Sequence, residues 1–235
     1  MLETIGWVSI VVAFFCAIWI AVETARRPQA MGVMNVVWPV SGLYFSVVAV
    51  WAYYRLGRAK TTMAMREMHH HGDHGGHDSG HGAGHGRLTW GQVAVGTSHC
   101  GAGCMLADVA CEFAIGAMVL TLLGSPLLAS YGIDLAGAWT LGIVFQYFAI
   151  KPMRPVSAGE ALAAAIKADT LSILAFQVGM YAWMALVYFV LFPAPHLTPF
   201  EPQYWLMMQV AMICGFATSF PVNWWLIRSG VKEAM

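Results

Sequence analysis

The chain alternates between long apolar runs and short polar breaks. The first run, Ile5 to Val22, carries no charge between Glu3 and Glu23 and stops at Arg26-Arg27-Pro28. The second, Val33 to Tyr54, contains Pro39 and is closed by Arg55, Arg58 and Lys60. Both reach the ~20 residues a helix needs to cross the hydrocarbon core of a bilayer. The third, Val93 to Leu123, is too long for one straight crossing: it would reach about 45 Å against about 30 Å of hydrocarbon. With Gly96, Gly101 and Gly103 near its start, it is expected to be tilted, or broken near Gly101-Ala102-Gly103. A fourth span is predicted from Leu135 to Ile150, stopped by Pro152 and Pro155. Ser157-Ala-Gly-Glu160 has the capping-box pattern that satisfies the first free N–H groups of a helix. It predicts a short interfacial helix, Ala158 to Lys167, running into a fifth span from Thr170 to Phe192. Pro193, Pro195, Pro199 and Pro202 make a stiff loop before a sixth span, Tyr204 to Ile227. The pattern predicts an all-α polytopic bundle of about six transmembrane helices. Residues 1–65 hold two of them and residues 88–235 form a four-helix membrane domain.

Between these two parts the pattern vanishes. From Arg66 to Arg87 the chain reads as histidine, glycine and aspartate without hydrophobic periodicity, and it is expected to be a disordered loop.

Composition supports a lipid environment. The chain is 59% hydrophobic and 10% charged, whereas a soluble domain carries roughly 25% charge. A net charge of zero gives no reason to expect a nucleic-acid partner. Ten Trp suit anchoring at two membrane–water interfaces. The N-terminus lacks the basic start and small-residue cleavage site of a signal peptide, so the first run is expected to be a retained span. With six spans, all Lys and Arg except Arg26 and Arg27 fall on one side. The positive-inside rule then places both termini and the His loop in the cytoplasm of a bacterium, with the protein in the inner (plasma) membrane. The arginine pair runs against that count.

Four features carry chemistry. His69, His70, His71, His74, His77, His81 and His85 sit in a glycine matrix, and imidazole suits Zn, Ni and Cu. His99, Cys100, Cys104, Asp108, Cys111 and Glu112 fall within fourteen residues of the third apolar run. Cys100, Cys104, Asp108 and Glu112 recur every four residues and share a helix face, with Cys111 close to that stripe. Carboxylates at membrane depth cost about 2.5–3.5 kcal/mol even by the lower scales and face a bundle interior or a watery cavity. Met208 and Met212 form an i, i+4 pair of thioethers, which bind Cu(I) well and resemble the methionine motif of Ctr-type copper transporters; Met is equally a core filler. Asp169 either joins Asp108 and Glu112 or pairs with Lys167 or Arg154, and both arrangements stay open. All five Cys lie in apolar segments, which is not the pattern of a disulfide framework.

Several motifs resemble the DUF4396 family of bacterial membrane proteins, a domain of unknown function. They are Gly96-Thr-Ser-His-Cys-Gly-Ala-Gly-Cys104 with Asp108, Phe145-Gln-Tyr-Phe-Ala-Ile150 with Pro152-Met153, Lys167-Ala-Asp-Thr-Leu-Ser172 and Pro221-Val-Asn-Trp-Trp-Leu-Ile227. The resemblance implies a several-helix membrane domain and supplies no reaction or substrate.

From the residues themselves, the expectation is a protein that binds and translocates a transition-metal ion, Cu(I) or Zn(II), rather than an enzyme. Its partners are the bilayer, the metal and either a second copy or another membrane subunit. The alternatives are a membrane thiol oxidoreductase using Cys100 and Cys104, or a non-catalytic scaffold subunit of a membrane complex. The Cys-x3-Cys spacing departs from the usual redox motif.

Overall fold

The computed structural model describes residues 1–29, 31–58, 88–118, 121–122, 124–153 and 157–232. The His-rich segment and its seven predicted ligands lie outside the described residues. What is described is all-helical. The helices are α1 (Leu2–Arg26), α2 (Met34–Phe45), α3 (Val47–Ala52), α4 (Trp90–Met118), α5 (Pro126–Met153), α6 (Ala158–Leu186) and α7 (Pro202–Arg228). Single π-turns extend α3 through Tyr53–Gly57 and α6 through Val187–Leu191. Five of these elements, α1, α4, α5, α6 with its π-turn, and α7, are long and apolar enough to cross a membrane. Their outward faces carry Val11, Phe15, Val178, Phe189 and Trp225, all exposed. In water such a surface would be a gross apolar patch; against lipid it is the expected solvent face.

The predicted second span is not one straight helix. The chain turns at Ser46, where φ is +48° and ψ is −120°, a conformation that costs a non-glycine residue about 1–3 kcal/mol. α2 runs inward, and α3 with its π-turn runs back beside it. The Trp38 and Tyr53 rings meet at 5.6 Å, and Gly57 lies directly under the Trp38 indole. Tyr54 accepts a hydrogen bond from Trp19, and Arg58 pairs with Glu23 at 3.9 Å, both near the C-terminal end of α1. α2 has 12 residues, which rise only about 18 Å. The segment is therefore a re-entrant hairpin, and Pro39 lies inside α2 without breaking it. Backbone off the helical pattern is tolerated at membrane depth only when its polar groups are satisfied. Here the Ser46 N–H donates to the Gly42 carbonyl, the Ser46 carbonyl accepts from Ala49, and the Gln209 side-chain amide donates to the Leu43 carbonyl.

The hairpin changes which ends of the bundle belong together. Gly6 of α1 abuts Pro202, and Ser9 hydrogen-bonds Gln209, so α1 and α7 run in the same direction. Met1 thus lies at the end of the bundle where α7 begins, and Arg228 lies at the other end. The expectation that both termini share a side fails, because residues 34–57 enter and leave at one end. Arg26, Arg27, Arg55, Arg58, Lys151, Lys167, Arg228 and Lys232 all belong to that basic end. The proline loop, Phe192 to Glu201, marks the opposite one.

Of the two forms expected for the third run, the break is absent. α4 is continuous through Gly101-Ala102-Gly103. Those residues serve close packing instead: a Cβ on Gly103 would stand 3.3 Å from the backbone of Gly142 in α5, and one on Gly101 would stand 2.8 Å from the Tyr44 hydroxyl. Helices in lipid approach through such small residues, because burying apolar surface gains nothing there. α4 is also the central element, with 56% of its most apolar stretch buried against 28% for α1 and for α7. α5 begins at Pro126, nine residues before the predicted start, which brings Asp134 inside the bundle. α6 starts at the predicted capping box, with Ser157 and Glu160 bonded reciprocally. Gly215 sits against the Phe176 ring at the α6–α7 crossing, where a Cβ would meet it at 2.6 Å. Gly215→Leu should therefore lower stability by about 1–3 kcal/mol through overpacking, read as an earlier thermal unfolding midpoint in detergent, while Val178→Leu on the lipid face should leave it unchanged.

Candidate functional site

The buried face of α4 organises two polar clusters. At its basic-end half, Cys100 is fully buried and meets residues from α6 and from the turn after α7. Its thiol lies 3.2 Å from Asp169 Oδ1 and 3.1 Å from Ser172 Oγ. Lys232 follows the last turn of α7; its backbone N–H donates to the Leu226 carbonyl, and its side chain turns back into the protein. Lys232 Nζ is 2.6 Å from Asp169 Oδ1 and 3.1 Å from Cys100 Sγ. Burial alone would lower the Lys232 pKa, but the Asp169 carboxylate beside it outweighs that and holds it above the ordinary lysine value, so the ammonium stays charged. Asn223 extends the network, donating to Ser172 Oγ at 2.6 Å and Ser219 Oγ at 2.9 Å. His99, one residue away, is fully buried near Phe145, and neither ring nitrogen has a hydrogen-bond partner among the described residues.

Toward the proline-loop end, α4 presents Asp108 and Glu112. Asp108 is 0% exposed, and its carboxyl group lies against the Gln177 amide of α6. Glu112 meets Asp134 of α5 and the Tyr204 hydroxyl of α7. The three carboxylates bear on one another, and the described ion pairs, Arg58 with Glu23 and Lys232 with Asp169, leave them aside. Glu112 and Asp134 line a cavity of about 410 Å³ whose wall includes Met180, Met184 and Met208. His196, Thr198 and Pro199 of the proline loop also line it, with His196 stacked on Tyr188 at 3.6 Å.

The structure thus brings some predicted residues together and separates others. Cys100, Cys104, Asp108 and Glu112 do share the buried face of α4. Cys104 is fully buried between the two clusters. Cys111 leaves that stripe: it is partly exposed and faces Gly137 and the Ile133 carbonyl of α5. Met208 borders the cavity, while Met212 packs in the apolar core. The cation described beside Asp169 is Lys232 rather than Lys167, and Arg154 lies outside the described residues. Among the described residues, no three His, Cys, Asp or Glu side chains stand together in a geometry that holds a metal ion. Asp134, Gln177, Tyr204, Ser172, Ser219 and Lys232 were outside the predicted site. Their signal was faint: single polar residues in apolar surroundings, each from a different helix.

The family model of DUF4396, a domain of unknown function, matches residues 89–232, and the chain belongs to that family. No curated protein and no solved structure matches the chain. The matched stretch begins at the foot of α4 and ends at Lys232, so it encloses both polar clusters and leaves out α1, the hairpin and the His-rich segment.

Breaking a buried ion pair from one side costs about 3–5 kcal/mol, whereas replacing both partners costs far less. Lys232→Met should therefore lower the thermal unfolding midpoint strongly, and Asp169→Asn combined with Lys232→Met should restore most of the loss. Equal destabilisation in the single and double variants would show that the pair is not what holds this end.

Proposed function

We propose that this DUF4396 member carries a cation across the membrane, with Asp108, Glu112 and Asp134 as the charge-binding centre and a transition-metal ion, Cu(I) or Zn(II), as cargo. The observation that carries the reading is the carboxylate trio. Three carboxyl groups buried between apolar helices, with no described ion pair to neutralise them, must either hold protons or accept a cation. A site that can do both can exchange one for the other. The thioethers of Met180, Met184 and Met208 on the cavity wall and the imidazole of His196 at its rim favour a soft or borderline ion over a hard one. Ligation requires the side chains to close around the ion from the arrangement described.

Topology gives the reading a direction. With five crossings and a re-entrant hairpin, every described Lys and Arg belongs to one end. Lys60, Arg66, Arg87 and Arg154 fall in connections that begin and end there. The positive-inside rule then makes the basic end cytoplasmic, in the plasma membrane of a bacterium, and Arg26-Arg27 no longer run against it. The hairpin adds to the five crossings a sixth apolar segment that does not cross. The cavity opens toward the proline loop, which is the outer side. The His-rich segment, outside the described residues, would gather ions for export.

The test is elemental analysis of protein purified in detergent after equilibration with Cu(I) or Zn(II). Near-stoichiometric metal should survive deletion of residues 66–87 and fall at least tenfold in Glu112→Gln with Asp134→Asn. Metal that disappears with residues 66–87 alone would place binding in that segment and refute a carboxylate centre.

A further inference from the structure

Pro199 and Phe200 of the proline loop also border a second cavity, of about 520 Å³, whose lining includes none of the carboxylate trio. It lies between α1, α4 and the first turns of α7, with Leu43 of the hairpin at its inner end. From α1 come Trp7, Ile10 and Phe14, whose spacing puts them on one helix face. From α4 comes Phe113, stacked on Trp205 of α7 at 5.2 Å and set against Phe200 at 6.1 Å. Close packing fixes the frame: a Cβ on Gly6 would stand 2.8 Å from the Pro202 backbone, and one on Gly116 would stand 3.2 Å from the Phe200 ring. Trp7, Phe14 and Phe200 are each more than half exposed, so the cavity is open to the lipid side. Its inner polar groups are committed within the protein. Gln209 accepts from Ser9 and donates to the Leu43 carbonyl at 3.0 Å, and Trp205 Nε1 donates to the Pro199 carbonyl at 2.8 Å. Glu201 is the charged residue of the lining. It stands at the N-cap of α7 without capping it; Oε2 accepts instead from the Thr198 N–H at 3.3 Å. Every described Lys and Arg belongs to the opposite end of the bundle.

We propose that this cavity binds a lipophilic organic cation, an ammonium or phosphonium centre carrying apolar groups. A hydrocarbon tail alone gains nothing by leaving the bilayer for it, because lipid is as apolar as Leu. An occupant must find something here that lipid lacks. The cavity offers two such things, aromatic rings and a carboxylate. The face of a Trp or Phe ring attracts a cation within about 6 Å of its centre, and aromatic cages recognise quaternary ammonium groups in this way. Glu201 at the rim supplies the opposite charge, and no described Lys or Arg stands at this end to compete for it. The same charge pattern disfavours an anion of equal size and shape. The volume falls within the roughly 300–1,000 Å³ of pockets that enclose small molecules. The site uses no residue of the carboxylate trio, so it holds independently of what the first cavity carries.

The probes are tetraphenylphosphonium and tetraphenylborate, ions of nearly the same shape and opposite charge. The full chain, purified in detergent without metal, is dialysed to equilibrium against each ion in a separate cell, with empty micelles as background. The wild-type protein should bind the phosphonium saturably and at least tenfold more tightly than the borate. Glu201→Gln should weaken phosphonium binding about fivefold, and Ile10→Trp, which fills the cavity, should abolish it. Both variants are compared as monodisperse protein with the wild-type thermal midpoint. Wild-type binding that does not exceed the micelle background overturns the proposal. So does equal binding of the borate, which would make this an apolar pocket for lipid tails. Phosphonium binding that is unchanged in folded Glu201→Gln, or that survives in folded Ile10→Trp, overturns it as well. Binding lost instead in Glu112→Gln with Asp134→Asn would put the cation in the first cavity and has the same consequence.

Discussion

Hydrocarbon offers no hydrogen bonds, and that single constraint arranges this molecule. Polar side chains in the spanning helices have only one another to meet, so they turn inward, and α4 becomes the line along which they gather. The apolar residues, which in water would form the core, face outward instead. Burial of apolar surface does not hold the helices together under these conditions. Close contact does, and it depends on Gly103 against Gly142, on Gly101 under Tyr44 and on Gly215 against Phe176.

The two polar clusters meet this constraint in opposite ways. Around Lys232 the charges cancel: the ammonium sits within hydrogen-bond distance of the Asp169 carboxylate and the Cys100 thiol. Around Glu112 they do not, since three acids lie together and two of them, Glu112 and Asp134, face a cavity. The first arrangement pairs its charges; the second leaves its carboxyl groups outside the described ion pairs. Cys104 lies between them, small and buried, so the helix face is continuous while its electrostatics change sign of purpose from one half to the other.

Much of the frame was legible in the sequence, because five of the apolar runs are long and uninterrupted enough to leave no other reading. The stripe of Cys100, Cys104, Asp108 and Glu112 was legible too, since four-residue spacing is a local property of a helix. Their partners were not. Asp134, Asp169, Gln177 and Tyr204 come from other helices, and nothing local says which faces meet. Lys232 was counted as one more interfacial charge, although a lysine stem is long enough to carry its ammonium back into the bundle. Residues 33–54 have the length and hydropathy of a span, so the reversal at Ser46 left almost no trace. Two signs did exist. Arg26-Arg27 sat on the wrong side of an even-numbered topology, and Gln209 had no evident purpose in an apolar helix until the Leu43 carbonyl supplied one.

The hairpin also bears on how the protein is assembled. Its two ends, Met34 and Gly57, lie at one end of the bundle, so its described backbone enters and leaves without passing through to the other end. It sits between the crossing helices like a wedge between standing posts. Its tip then presses Tyr44 against α4 beside Gly101, at the level where the two polar clusters meet. The seating of the wedge and the packing of the middle of α4 thus depend on the same contact.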